Sequence, residues 1–271
     1  MDIALPRPSV LDTGRRAVFW TIMVLLALAA WAALWAWSAS PYARYLEHPG
    51  WGDAVALAEL CNALPQGSIL VPAALHASAW VLMIAAMMLP TTFPLLAMFH
   101  RMTRARDDVG RLLALVVLGF FAAWLAFGVL AHAADLGVRF AAGRYPAFAT
   151  NGWLVGALVL AAAGAFQWSA LKYRCLEACR TPFGFITSRW HGRSPWREAF
   201  RIGIDHGLFC VGCCWALMLV MFVVGVGSIV WMIALAAVMA AEKNLAAGRW
   251  LRTPVGLGLL GAAGTIVIAH L

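Results

Sequence analysis

His206, Cys210, Cys213, Cys214, Met218 and Met221 all fall within DHGLFCVGCCWALMLVM, residues 205–221, a run otherwise apolar enough to cross a bilayer. Helical positions three and four apart share a face, so these side chains make a stripe of imidazole, thiol and thioether groups. Such donors are preferred by soft or borderline cations, copper(I) first, with zinc or iron as alternatives. A carboxylate-dominated set would have pointed to calcium, magnesium or manganese. Cys213 and Cys214 project about 100° apart around a helix, so one helix cannot aim both at one ion. A complete site must draw ligands from elsewhere in the chain.

Two stretches carry suitable groups. KYRCLEACRTP holds Cys175 and Cys179, whose four-residue spacing puts both sulfurs on one helical face. HASAWVLMIAAMMLPTTFPLLAMFH holds Met83 and Met87 at the same spacing, Met88 beside them, and Met98 and His100 near its end. Pro90 and Pro94 kink that helix and free backbone carbonyls, which a membrane protein tolerates where neighbours or a cavity satisfy them. A single buried cysteine is usually a small hydrophobe and a methionine usually packing. Five cysteines in two clusters, together with His206, favour a metal site over packing or thiol redox chemistry. Cys61 stands alone, and His48, His132, His191 and His270 lie near expected interfaces with no role assigned.

Ionisable groups within or bordering apolar spans are expensive and usually face a partner or a wet cavity. Asp205 is placed to orient the His206 ring or to offset a bound cation, as an outer carboxylate does. Glu242 is a second candidate for that role. It precedes Lys243 where an apolar run ends, so a mutual pair or snorkelling to the interface is an equal alternative. Gln167, Trp168 and Ser169 would complete a polar cluster there if the chain brings them close.

The elements that must position these residues are membrane helices. Of 271 residues, 63% are hydrophobic and 12% charged, with mean hydropathy +0.82, which excludes a soluble globular domain. Apolar runs of spanning length predict an all-α, polytopic transmembrane bundle of about seven spans. These are Ala17–Ser38, His76–Phe99, Leu112–Ala133, Trp153–Leu171, Ile202–Gly227, a weaker Ser228–Ala241, and Pro254–Leu271. The net charge of +8 does not indicate nucleic acid, because the basic residues are segregated. All but Arg44, Arg139 and Arg144 of the 20 lie in the N-terminal tail or in alternate loops, which places the N-terminus in the cytoplasm. Arg15 and Arg16 before the first run resemble a secretory signal, but the run is too long for one and reads as a retained anchor.

The chain reads as one integral membrane domain over 1–271. An outer loop, 39–75, includes a short amphipathic helix ended by Pro65, and a basic cytoplasmic loop, 172–201, holds Trp190 and Trp196. Aromatic and basic residues at that interface are ordinary anchors to anionic headgroups. GLGLLG in the last run matches a dinucleotide-binding fingerprint by letter only, since no strand precedes it; small residues there permit close helix packing.

The segments MIAAMMLP, QWSALKYRCLEACRTP, FRIGIDHGLFCVGCCWALML and VMAAEKNLAAGRWL, in this order, resemble the bacterial integral membrane proteins of domain-of-unknown-function family 2182, described as predicted metal-binding. The likeness runs from about Trp80 to Leu251. By this resemblance the family's motif positions fall on Met87, Met88, Pro90, Lys172, Cys175, Cys179, Pro182, His206, Gly207, Cys210, Cys213, Cys214, Trp215 and Glu242. It implies metal binding at the bacterial inner (plasma) membrane and names no reaction, although a copper-chaperone label is attached to some members.

The expected function is therefore an inner-membrane protein handling copper(I). Cys175, Cys179, His206, Cys210, Cys213 and Cys214 are the ligands, and Met83, Met87, Met88 and Met218 the additional candidates. The lipid bilayer and a metal donor or acceptor protein are its partners, with no nucleic acid. Two enzymatic readings stand beside it. A thiol–disulfide oxidoreductase would use Cys210–Cys213 in exchange with Cys175 and Cys179, although Cys210 sits two turns into an apolar run, where burial opposes the thiolate. A metalloenzyme acting on a lipophilic substrate would need an open coordination position.

Overall fold

The computed structural model describes residues 10–40, 70–145, 151–225 and 228–271. The expectations for the outer loop, including its amphipathic helix and Cys61, lie largely or wholly outside the described residues. Every regular element among the described residues is helical. In chain order they are α1 (Val10–Ser38), α2 (Leu70–Met87), α3 (Phe93–Thr103), α4 (Val109–Arg144), α5 (Gly152–Phe166), α6 (Ala170–Arg180), α7 (Pro182–Thr187), α8 (Pro195–Val224), α9 (Ile229–Asn244) and α10 (Arg252–Ala269). Short 3-10 turns at Pro90–Thr92 and Ala246–Leu251 precede α3 and α10.

Among the described residues, four helices are long and apolar enough to cross a membrane: α1, α4, α8 and α10 with its preceding turn. Two bent pairs, α2 with α3 and α5 with α6, bring the total to six if each pair is one span. The seventh span expected at Ser228–Ala241 is α9, only 16 residues long. At 1.5 Å per residue it covers about 24 Å, short of the roughly 30 Å of hydrocarbon.

The two bends have local causes. Pro90 has no N–H and its ring crowds the preceding turn, so the α2 ladder stops at Met87. The Met88 and Leu89 amides both donate to the Ile84 carbonyl, at 2.8 and 3.0 Å, and the chain leaves at 46°. The hydroxyls of Thr91 and Thr92 donate to the Met88 and Leu89 carbonyls, each at 2.7 Å, beside the backbone amides of the same threonines at 3.1 and 3.0 Å, which tightens the turn. Between α5 and α6 the turn is 61°. Ser169 caps α6 there by accepting the Lys172 amide at 3.1 Å.

The centre of the bundle is the parallel pair α4 and α8, and glycines set how closely they lie. A Cβ on Gly203 would sit 2.1 Å from the Val116 carbonyl oxygen, and one on Gly119 2.2 Å from that of Phe200. Gly207, one turn beyond Gly203, faces Ala123 and Phe120 in the same way. Backbone-to-backbone approach of this kind is what small residues four apart allow in membrane helices. Helix α10 packs on α5 by the same device, with Gly256 under the Trp168 ring and its carbonyl against Gly164. Of the GLGLLG glycines only Gly256 has the packing use expected; Gly258 and Gly261 face open space.

Polarity is distributed inside out. Val230, Ile268 and Trp250 are each more than 70% exposed, whereas Lys172, Gln167, His206, Glu242 and Lys243 are buried. An apolar exterior around a polar interior suits lipid as solvent. The expected basic cytoplasmic loop, 172–201, is itself mostly helical, folding as the rest of α6, all of α7 and the first turn of α8. Glu198 fixes the entry to α8 by accepting the backbone amides of His191, Gly192, Arg193 and Ser194, at 2.7–3.1 Å.

Candidate metal centre

The site is built where α8 meets α6, α9 and the bend after α2. Cys210, Cys213 and Cys214 are buried on α8. Their helical spacing gives each hydroxyl-like thiol a carbonyl acceptor: Cys213 and Cys214 both donate to the Cys210 carbonyl oxygen, at 3.1 and 2.9 Å. The Cys210, Cys213 and Cys214 side chains lie close enough to one another to interact.

Helix α6 delivers the second cluster to the same place. Cys175 and Cys179, one turn apart, both face α8. The Cys179 side chain neighbours that of Cys213, and the Cys175 sulfur lies over Gly212, 2.6 Å from where a Cβ would stand. Gly212 is thus a seat for a sulfur, a role its sequence context did not announce. The bend at Pro90 turns Met88 inward, and its sulfur lies 3.9 Å from Cys214 Sγ. Met83, Met87 and Met218 are buried in the same core, but among the described residues no polar contact ties their sulfurs to a thiol.

The sulfurs therefore run as a line, Cys179 to Cys213 to Cys214 to Cys210, with Met88 beside Cys214 and Cys175 beside α8. They do not close on a point: among the described residues no three His, Cys, Asp or Glu groups converge as a metal-holding set. What the line offers is adjacent pairs of sulfurs. Such pairs suit a thiophilic ion that accepts few ligands, and copper(I) is the ion that thiolate and thioether donors select.

His206 lies one turn before Cys210, buried against the rings of Phe120 and Phe185 at 6.0 and 5.7 Å. Its Nδ1 is buried and has no hydrogen-bond partner, and a buried unpaired ring nitrogen is a free donor position for a cation. Asp205 does not address that ring. Its carboxylate accepts from Arg189 Nε at 2.8 Å, and the same guanidinium stacks 4.0 Å over Phe185.

Two lysines that the sequence reading did not count as ligands, Lys172 of the motif positions and Lys243, stand beside the sulfurs and Glu242. Lys172, wholly buried, bonds both carboxylate oxygens of Glu242, at 2.7 and 3.0 Å, and the Gln167 side-chain oxygen. Glu242 is thus committed to Lys172 rather than to Lys243. Arg180 closes the end of α9 by donating to the Glu242 and Leu245 carbonyls, each at 2.8 Å. Lys243 turns the other way, into the sulfurs. Its ammonium is 2.9 Å from Cys210 Sγ, 3.3 Å from Thr91 Oγ1, 3.9 Å from Met88 Sδ and 4.0 Å from Cys214 Sγ. No cysteine lies near Lys243 in the chain, and its sequence position beside Glu242 instead suggested a mutual pair.

Fold and site together define a polytopic α-helical protein with a sulfur-lined interior. The chain belongs to the PpoB2 copper-chaperone family, whose model matches residues 77–266. That span takes in every helix that contributes to the sulfur line. No curated protein matches the chain, and no solved structure does.

Proposed function

We propose that this protein is a multi-pass inner-membrane carrier that holds copper(I) on Cys210, Cys214 and Met88 and passes it along the sulfur line by way of Cys213 and Cys179. One observation carries the reading: sulfurs from α8 and from the bend after α2 surround a buried cationic group, the Lys243 ammonium. A pocket that accommodates a positive charge between thiols, inside an apolar bundle, fits a monovalent thiophilic ion. Membership of a copper-chaperone family supports the same cargo, and the likeness to the predicted metal-binding family 2182 agrees with it. His206, with its open Nδ1, and Cys175 flank the line as further ligands.

Stepwise exchange between neighbouring sulfurs keeps the ion from ever being fully hydrated inside the bundle. The N-terminus is cytoplasmic in this reading, the basic cytoplasmic rim faces anionic lipid, and a soluble donor or acceptor completes the transfer. The test is copper co-purification from cells expressing the full chain. Replacing Cys210 and Cys214 by serine abolishes bound copper; an unchanged copper-to-protein ratio refutes the site.

A thiol–disulfide reading has one observation in its favour, the juxtaposition of Cys179 on α6 and Cys213 on α8. This differs from the Cys210–Cys213 pair expected from spacing alone. A Cys179–Cys213 disulfide that cycles in vivo under thiol trapping would establish it.

A further inference from the structure

Lys243 is where this molecule departs from a plain sulfur site. Its side chain is only 7% exposed, and a charge so placed needs a counter-charge. The nearest carboxylate along the helix, Glu242, is held by Lys172 at 2.7 Å. Among the described residues, the hydrogen-bond partners of the Lys243 ammonium are the hydroxyl of Thr91 and the sulfurs of Cys210, Cys214 and Met88. A hydroxyl and a thioether are neutral, so the thiols alone are left to balance this lysine.

Resting on the copper reading above, we infer that Lys243 is a specificity-determining residue, a fixed positive charge that makes the Cys210–Cys214–Met88 site accept monovalent and reject divalent cations. The charge count decides it. Two thiolates, one monovalent ion and the lysine sum to zero, which a low-dielectric interior tolerates. Two thiolates, one divalent ion and the lysine leave one uncompensated positive charge. Glu242 cannot cancel it without abandoning Lys172, itself buried. Sulfur chemistry alone would admit zinc(II) as well as copper(I); the lysine separates them by charge.

The experiment compares copper(I) and zinc(II) affinities by competition with chromophoric chelators, on the purified full chain in mild detergent under anaerobic conditions. Lys243→Leu removes the charge, keeps apolar bulk and adds no sulfur donor. Zinc(II) affinity relative to copper(I) rises at least about tenfold, a conservative figure for removing one unit charge from beside the ion in an apolar interior. Thr91→Asp keeps the lysine and supplies a carboxylate within its reach, and it shifts the ratio in the same direction. This second variant decides the matter if Lys243→Leu does not fold. An unchanged ratio in a folded Lys243→Leu or Thr91→Asp protein that still binds copper(I) overturns the role of the lysine and leaves the copper site standing. A wild-type protein that binds neither metal through Cys210 and Cys214 refutes the copper site itself, and the lysine's role with it.

Discussion

Lys243 on α9 donates to Cys210 Sγ on α8 at 2.9 Å, while the adjacent Glu242 is taken by Lys172 on α6 at 2.7 Å. Consecutive residues of one helix thus serve two different neighbours, one a salt bridge and the other a sulfur cluster. The approximately 100° step between successive helical positions makes this split possible. It ties α6, α8 and α9 together around the line of thiols.

The Lys172–Glu242 bridge is fully buried, so breaking it from one side costs more than deleting it. Glu242→Gln strands the Lys172 charge, with an expected loss of about 3–5 kcal/mol. Lys172→Met combined with Glu242→Leu recovers most of that loss, because both desolvation penalties vanish together. Thermal unfolding in detergent, arranged as a double-mutant cycle, reads the coupling. Additive single effects would contradict a direct pair.

Met88 reaches Cys214 only because the chain turns at Pro90. Pro90→Ala restores a backbone donor and lets α2 continue, carrying the thioether away from the thiol. Copper(I) affinity then falls by about tenfold, equal to roughly 1.4 kcal/mol, and Met88→Leu produces a fall of similar size. Chelator competition measures both, and a wild-type affinity in Met88→Leu would remove Met88 from the ligand set.

Gly212 leaves room for a sulfur. Gly212→Ala places a methyl 2.6 Å from Cys175 Sγ, so that side chain must leave its seat. The expected outcome is faster maleimide labelling of Cys175 than in the parent, scored in a background where the other cysteines are serine. Stability drops by about 1–3 kcal/mol, as for other overpacked sites. An unaltered labelling rate would show that the sulfur does not rely on this glycine.

The α4–α8 contact depends on glycine in the same way but with backbone as the obstacle. Gly203→Ala would bring a Cβ to 2.1 Å from the Val116 carbonyl oxygen, and a carbonyl held in a helix cannot swing aside as a side-chain tip can. The two helices must separate, with a lowered detergent melting temperature and less folded protein in size-exclusion profiles. Gly110→Ala, on the same helix as Gly119 but facing open space, is the matched control and melts at the parental temperature.

Much of this was legible in the chain itself. Apolar runs of spanning length required membrane helices, since a lipid-exposed backbone must satisfy its own hydrogen bonds. The four-residue spacing of Cys175 and Cys179 put two thiols on one face because helical period is a local property. The bend at Pro90 was equally local, its missing N–H sufficing to stop the ladder. Donor chemistry alone named the class of cation. Span count was less legible: α9 is apolar in composition but only 16 residues long, and its end is set by the chain turning at Leu245 toward the next 3-10 element.

Other features depended on how the helices are rotated against one another. No spacing rule tells which face of α9 meets α8, so the sequence offered Glu242 to Lys243 as readily as to Lys172. It offered Asp205 to His206, although the carboxylate is held by Arg189. Those choices follow from glycine contacts such as Gly119 with Phe200 and Gly203 with Val116, which fix the rotation and depth of α8 against α4. Ligand type and helical face are properties of neighbours in the chain, written within a turn or two. Which sulfurs meet, and which charge stands among them, is decided by backbones that approach from opposite ends of the sequence.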